Sequence, residues 1–507
     1  MSLRFGTSGV RGLVSEMSDY QCWLFTRAFV RHVRTRSVVE TVGISGDLRA
    51  STHRILRSVA LALEDEGVRV VYCGRVPTPV LCLYGLAHRI PTVMVTGSHI
   101  PEDRNGIKFN LATGEILKED EAGILEHHER LREECGLPFG PFDSEGQLNA
   151  DRPDLPGIAD ETSSREYLRR YLEFFPEAAL RGQAVGLYEH SSVGRDLLRE
   201  LLEGLGAVVT RLGRSDSFVA VDTEAVQNPE QLAQWVRELE LDALVSTDGD
   251  ADRPLLVADN GRVVQGDILG TLVADYLGAE AVVLPVSCNT AVERWERFPL
   301  VRRTRIGSPY VVAGMLECVA AGRTPVVGFE ANGGFLIASE IPGTAGRRPL
   351  APLPTRDAAL PLLAALHMAH REGLRVSELP HRLPDRQTWS GLVRQFPAET
   401  GREVISLLRR MGLPLMQDLF GDALGPGERI DFTDGARITF GNGEIVHFRP
   451  SGNAPEFRCY TEARTHERAH RINDLALEVL VSKLRPQAEG TAGSLNRDPG
   501  EGQRATE

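Results

Sequence analysis

Asp248, Asp250 and Asp252 alternate with small residues in the run Asp248-Gly249-Asp250-Ala251-Asp252-Arg253, just after the apolar stretch LDALVS at 241–246. In an extended or tightly looped backbone, alternate side chains can point to one side, and three carboxylates gathered there repel one another unless a cation sits among them. Three oxygens on a divalent ion leave positions open for water or a phosphoryl oxygen, which suits Mg²⁺ and phosphoryl transfer. Arg253 adds an anion-binding group beside them. An EF-hand loop also begins DxDxD, but Arg253 stands where that loop needs glycine, and PLLVAD replaces its remaining ligands. The plain alternative is a solvated acidic turn.

A second cluster reads Thr96-Gly97-Ser98-His99-Ile100-Pro101, followed by Asn105-Gly106-Ile107-Lys108. It lies at the end of the apolar run PTVMV, where α/β sheets place their reacting groups. A serine so placed can attack or hold a phosphoryl group, and Lys108 can neutralise charge or move a proton; an ordinary surface turn is the alternative. A third segment, Arg449-Pro450-Ser451-Gly452-Asn453-Ala454-Pro455 with Arg458 beyond it, offers two arginines, a hydroxyl, an amide and backbone N–H groups, the makings of a phosphate cradle or a polar turn. In Phe329-Glu330-Ala331-Asn332-Gly333-Gly334, Glu330 could hold two sugar hydroxyls or cap a βα turn. Near the start, Phe5-Gly6-Thr7-Ser8-Gly9-Val10-Arg11-Gly12 is a glycine-rich loop with Arg11 in it. It lacks the GxxxxGK[ST] pattern of a nucleotide-binding P-loop.

The elements that must carry these loops alternate between strand and helix patterns. Strands are expected at Thr41–Ser45, Val68–Cys73 (buried), and 91–95, with a helix from about Ser51 to Asp65. A Pro-, Asp- and Gly-rich stretch at 139–156 reads as a linker. Further strands at Ala184–Tyr188, 241–246, 254–257, Ala281–Pro285 and 324–328 extend the same pattern, that of parallel sheets with crossover helices. Beyond 375 the texture changes to short strands, Ala436–Phe440 and 444–448, and a helix near 466–484. The expected fold is α/β: three related α/β domains (1–153, 154–254 and 255–374) and a C-terminal α+β domain (375–485), with a disordered tail over 486–507.

The chain has 507 residues, 42% of them hydrophobic and 25% charged, which suits several globular domains. Its net charge of −13 and the lack of a basic, aromatic-interleaved stripe argue against a nucleic-acid partner. Seven scattered cysteines without a CxxC pair suit free thiols in a reducing compartment rather than zinc. No signal-peptide core or membrane-length apolar run is seen, so a cytoplasmic location without membrane contact is expected.

Taken together and in order, FGTSGVRG, TGSHIPEDRNGIK, DGDADR, FEANGG and RPSGNAPEFR resemble the loops of the α-D-phosphohexomutases, the family of phosphomannomutases, phosphoglucomutases and phosphoglucosamine mutases. The resemblance spans roughly residues 4–484. It implies four domains around a central cleft and a phosphate shuttled between the 1- and 6-positions of a hexose through a 1,6-bisphosphate, which also serves as activator. It further implies Ser98 as the phosphate carrier, with Arg11, Lys108 and His99 as the other catalytic groups. Mg²⁺ would be held by Asp248, Asp250, Asp252 and a phosphoryl oxygen on Ser98. Arg253, Glu330, Asn332, Arg449, Ser451, Gly452, Asn453 and Arg458 would bind substrate. The partner is then a small hexose phosphate, mannose phosphate first and glucose or glucosamine phosphate as alternatives, with the chain a monomer or small homo-oligomer.

Some positions depart from the family pattern. TGSHIP stands where TASHNP is common, and FEANGGF where GE-x-SGH is common, so the usual histidine of the sugar loop is missing and the general acid/base is left open. Two other readings remain: a sugar-phosphate-binding protein descended from a mutase, and a hydrolase that passes phosphate from Ser98 to water.

Overall fold

The computed structural model describes residues 3–6, 9–138, 140–149, 154–155, 159–343, 346–451 and 455–488. The chain divides into two compact units. One runs to Pro285 and takes in Glu296–Arg303 and Gly307–Arg382. The other comprises Val286–Trp295, Thr304–Ile306 and the chain from Leu383 onward.

The first unit holds three sheets built in a similar style. The first has seven strands, with Thr41–Gly46 flanked in parallel by Arg69–Tyr72 and Thr92–Val95. The strand Thr92–Val95 then pairs antiparallel with Arg104–Leu111, which pairs antiparallel with Gly9–Leu13. TVMV at 92–95 is buried on both faces, as a β-branched run in a sheet interior should be. The helix Asp19–Arg34 opens with Ser18 accepting the Gln21 N–H at 3.3 Å and carries basic residues in its last turn, both favourable to the helix ends. Its Phe29 stacks on Phe109 of the sheet with centroids 4.7 Å apart. Burying one such ring contributes about 1.5–3 kcal/mol.

The second sheet orders Val263–Val264, Pro254–Ala258, Ala243–Thr247, Ala184–Tyr188 and Val208–Leu212. Its last three strands are parallel, and Pro254–Ala258 returns antiparallel along Ala243–Thr247. The third orders Leu300–Thr304, Ala281–Pro285, Val326–Phe329, Phe335–Ile337 and Leu353–Asp357, with antiparallel pairing across its last three strands. Strand direction is therefore mixed in all three, where the alternating pattern alone suggested parallel sheets. Each hairpin return keeps a chemistry-bearing loop at a strand end. The strand expected to be buried at 68–73 is Arg69–Tyr72, which is only half-buried because it forms the edge of its sheet.

The second unit is built on five antiparallel strands, ordered Gln387–Arg394, Glu456–Ala463, Ile445–Pro450, Ala436–Phe440 and Gly427–Asp431. Phe396, Phe420, Phe440, Phe448 and Phe457 fill its core. The helical segment Ala398–Leu424 breaks at Gly412, whose φ of 62° is a glycine conformation, and Pro414 removes a backbone donor just beyond. The helix His466–Val479 continues through a π turn at Leu480–Leu484, and residues 485–488 remain helical. Chain order thus runs past Pro486, where a disordered tail was expected to begin; 489–507 lie outside the described residues.

Candidate active site

Strand ends of the first unit supply the site. Thr92–Val95 delivers the buried Ser98, which sits at φ 57°, a left-handed conformation rare for serine. Its N–H donates to Thr96 Oγ1 at 2.8 Å, and its Oγ donates to Asp248 Oδ2 at 2.6 Å with His99 Nδ1 at 3.3 Å. The strand Ala243–Thr247 delivers Asp248, Asp250 and Asp252, all fully buried, with one oxygen of each lying within 4.8 Å of the others. The alternation seen in the sequence is realised as a tight loop, with Ala251 at φ 56°. Serine and aspartate loops touch. A Cβ on Gly249 would fall 2.7 Å from the Ser98 carbonyl oxygen, so only glycine allows this approach.

Sheet register explains how Arg11 and Lys108 converge. Gly9 lies opposite Lys108 and Arg11 opposite Gly106, which puts the side chains of Arg11 and Lys108 on one face, two residues apart. Lys108 Nζ donates to Asp250 Oδ2 at 2.6 Å and Asp252 Oδ2 at 2.8 Å. Arg253 Nε lies 3.6 Å from Asp252 Oδ1 and 3.9 Å from Asp248 Oδ2. Glu330 pairs with Arg356 Nη1 at 3.1 Å, and Arg356 also donates twice to Asp252 Oδ2, from Nη2 at 2.8 Å and Nε at 3.2 Å. Asn332 is buried nearby, with Oδ1 accepting the Gly334 N–H at 2.9 Å and its carbonyl accepting from Thr223 Oγ1 at 3.0 Å. Its amide oxygen is thereby committed to shaping its own loop.

The electrostatics separate the three aspartates. Burial, with Asp250 and Asp252 adding to it, pushes Asp248 well above the usual carboxylate range. Burial also acts upward on Asp252, but Arg356, Lys108 and Arg253 together outweigh it and hold this carboxyl below its ordinary value. Burial lowers Arg11 to about 10, helped by the charges of Arg253 and Arg356. His99 falls to about 2 through burial and then through Arg253 and Arg11, so the imidazole is neutral. Burial would lower Lys108, yet Asp250 and Asp252 more than offset it and keep the ammonium charged.

A cation fits this pocket. Asp250 Oδ1 and Asp252 Oδ1 are buried with no hydrogen-bond partner among the described residues. Two buried carboxylate oxygens that make no hydrogen bond, beside a third carboxyl, offer ligand positions that a divalent ion can take.

Several contributors were not singled out from the sequence. Arg356 lies within the strand Leu353–Asp357 and joins the aspartate loop to Glu330. Thr78 Oγ1 donates to Asp250 Oδ2 at 2.5 Å. Asp47 and Arg49 lie beneath the serine loop: Asp47 accepts from Thr96 Oγ1 at 2.7 Å, and Arg49 donates to the Ser98 carbonyl at 2.8 Å. Their one sequence signal is position, since Gly46-Asp47 follows a strand as the other loops do.

The remaining expected residues belong to the second unit. Arg449 and Arg458 are directly opposite across neighbouring strands. Arg449 Nε pairs with Asp434 at 2.9 Å, and Arg458 lies 3.8 Å from Glu456. Ser451, at the end of the hairpin, donates its N–H to the Glu456 carbonyl at 2.9 Å. Gly452 and Asn453 lie outside the described residues.

Comparison with known proteins agrees with this organisation. The chain matches the phosphoglucomutase/phosphomannomutase alpha/beta/alpha domain I over residues 2–134, domain II over 165–261, domain III over 265–386 and the C-terminal domain over 393–479. It is 40% identical to a phosphomannomutase of Salmonella muenchen over 489 residues, covering 95% of this chain and 96% of that one. A phosphomannomutase of Sinorhizobium fredii is 41% identical over 493 residues, 96% of this chain and all of the other. In fold it is similar to a phosphoglucomutase/phosphomannomutase family protein of Burkholderia thailandensis, with a TM-score of 0.72 at 19% identity over 95% of this chain and 97% of that one. Among the described residues no helix is long and apolar enough to cross a membrane.

Proposed function

The chain belongs to the α-D-phosphohexomutase family, and from that premise we propose that it interconverts hexose 1-phosphate and hexose 6-phosphate, with mannose phosphate the preferred substrate. The observation that carries this reading is the contact of Ser98 Oγ with Asp248 in a buried pocket of three carboxylates ringed by Arg11, Lys108, Arg253 and Arg356. A serine there is both held and surrounded by charge that can balance a phosphoryl group.

In this reading Ser98 carries the phosphate between turnovers. It gives the phosphate to the free hydroxyl of the hexose phosphate, and the resulting 1,6-bisphosphate returns its other phosphate to Ser98. Hexose 1,6-bisphosphate from solution charges an unphosphorylated serine, which makes it an activator. Asp248, Asp250 and Asp252 would hold Mg²⁺ beside the phosphate carried on Ser98. The ion, when bound, supplies Lewis-acid stabilisation of negative charge on the transferring group. Lys108 and Arg11, projecting from one sheet face, offset the charge that Ser98 bears in its phosphorylated form. Neutral His99 orients the Ser98 hydroxyl when the phosphate has left. Glu330, braced by Arg356, accepts hydrogen bonds from sugar hydroxyls, with Asn332 and Arg253 beside it.

In the second unit, Arg449, Ser451, Gly452, Asn453 and Arg458 bind a phosphate. Two arginines directly opposite on neighbouring strands put two guanidinium groups side by side, a pairing that suits a phosphate and supports this assignment.

The test is phosphorus NMR of the purified protein with Mg²⁺ and trace hexose 1,6-bisphosphate, given mannose 1-phosphate and glucose 1-phosphate in separate tubes. The 6-phosphate signal should grow in both and faster with mannose. Faster conversion of glucose would reverse the substrate order. Release of inorganic phosphate in place of either product would replace the mutase by a phosphatase.

A further inference from the structure

We infer that Arg49 is the positioning residue that holds Ser98 in its left-handed conformation and fixes its distance from the aspartate loop. This inference rests on Ser98 being the phosphate carrier. Arg49 is only 1% exposed, and it touches no group placed above in the chemistry except through the backbone of the serine loop.

All five N–H donors of its guanidinium have acceptors. Nη2 donates to the carbonyls of Ser98 at 2.8 Å and Ile100 at 2.6 Å, and Nη1 to those of Pro101 at 2.8 Å and Arg104 at 3.2 Å. Nε donates to Asp47 Oδ2 at 3.1 Å. The loop that carries Ser98 is thus wrapped around one planar cation. Asp47 completes the mount. Its Oδ2 also accepts from Thr96 Oγ1 at 2.7 Å and the Gly97 N–H at 3.3 Å, while Oδ1 accepts from Thr52 Oγ1 at 2.6 Å. Thr96 Oγ1 in turn receives the Ser98 N–H.

Packing pins the guanidinium as well. A Cβ on Gly97 would come within 2.6–2.8 Å of its atoms, so the loop backbone lies directly on it. The Phe218 ring covers it with 3.8 Å between Cζ and the ring centroid, a favourable contact for a cation. Phe218 also sits against Gly249 of the aspartate loop, the residue that approaches the Ser98 carbonyl. One arginine therefore ties the serine backbone to the loop that must meet its side chain. Left-handed serine is a conformation that neighbours must impose, and a carrier that alternates between a neutral hydroxyl and a dianionic ester needs it imposed in both states.

Lysine at this position keeps the charge but loses the planar fork that reaches four carbonyls. The experiment compares unaltered protein, Arg49→Lys, Phe218→Leu and Arg54→Lys, the last a control in which another arginine is lost whose hydrogen bonds go to Asp19, Gln147 and the Val14 and Met17 carbonyls, outside the serine loop. Each is charged with ³²P-labelled glucose 1,6-bisphosphate, and kcat and KM are then measured with mannose 1-phosphate. Arg49→Lys should lower kcat and the rate of Ser98 labelling by about 100-fold and move KM less than about threefold, the signature of a misplaced reacting group. Phe218→Leu should lower kcat by about tenfold with KM unchanged, and it decides the matter if Arg49→Lys does not fold. Arg54→Lys should keep its kcat. Normal labelling and kcat in the foldable Arg49 or Phe218 variant, or an equal loss in Arg54→Lys, would overturn the role of Arg49 alone. If the unaltered protein takes no label on Ser98, the carrier reading fails and this inference falls with it.

Discussion

Ser98 Oγ stands 2.6 Å from Asp248 Oδ2, though the two residues are 150 positions apart in the chain. Each is fully buried, and each is delivered by the end of a buried strand from a different sheet. Their contact is where the first and second sheets exchange chemistry. Replacing Ser98 by alanine should lower turnover by about ten-thousand-fold or more, as loss of a nucleophile does elsewhere, and should abolish labelling from the bisphosphate. Quantitative mass spectrometry of the labelled protein checks the second outcome without reference to turnover.

The bare oxygens of Asp250 and Asp252 predict a measurable cation affinity. Mg²⁺ added at about 100 times its dissociation constant should stabilise the unaltered protein by about 2.7 kcal/mol, and Asp250→Asn should lose most of that gain. Thermal melting with and without EDTA reads both numbers. Equal stabilisation of the two proteins would place the ion elsewhere.

Arg356 predicts a large structural effect from a single side chain. It is 2% exposed and bonded to both Asp252 and Glu330. Substitution by methionine leaves the buried Glu330 carboxylate without its arginine and Asp252 with only Lys108 and Arg253, and breaking a buried pair costs about 3–5 kcal/mol. Urea unfolding should show a lower midpoint with an unchanged slope. If Glu330 grips the sugar, KM should also rise.

His190 and His447 share one arrangement and predict an acid sensitivity. In each, Nε2 donates to a backbone carbonyl, that of Thr247 at 2.8 Å or Asp434 at 2.6 Å, while Nδ1 is buried without a hydrogen-bond partner among the described residues. Burial lowers both to about 4 from 6.5. The unfolded chain therefore takes up protons first as the pH falls. Stability from these two residues is complete above about 6.5 and is lost as pH drops through about 4. Melting temperature should decline over that window, and His190→Gln with His447→Gln should flatten the decline.

Much of the site was legible because its residues announce themselves locally. Ser98, Asp248, Asp250, Asp252 and Glu330 all sit in short polar runs after apolar strands, and the chain keeps such runs at strand ends. Arg356 gives no such signal, and Arg49 only that of lying just past a strand end. Each is a single arginine in an ordinary segment, and its importance comes from carbonyls and carboxylates brought to it by the fold. Asn332, a substrate-binding residue by the family resemblance, also has a part in its own loop that its type did not reveal, its Oδ1 accepting the Gly334 N–H. Strand presence was readable from apolar runs, but direction was not. Burial pattern is the same for parallel and antiparallel neighbours when both faces are covered, so the returns at Pro254–Ala258 and Arg104–Leu111 are visible only in their pairing.

The chain passes between its two compact units five times, at 285/286, 295/296, 303/304, 306/307 and 382/383. Within the second unit, Thr290 is bonded to Glu462, Asn289 to the Arg386 carbonyl and the Ile306 N–H to Asp434. The C-terminal module is consequently no interchangeable cassette. A gene fusion that spliced on a relative's last domain at residue 383 would set inherited middle segments against foreign partners at all three contacts. Drift in the two parts must therefore proceed in step, and a successful chimera would have to carry residues 286–295 and 304–306 along with the chain from Leu383 onward.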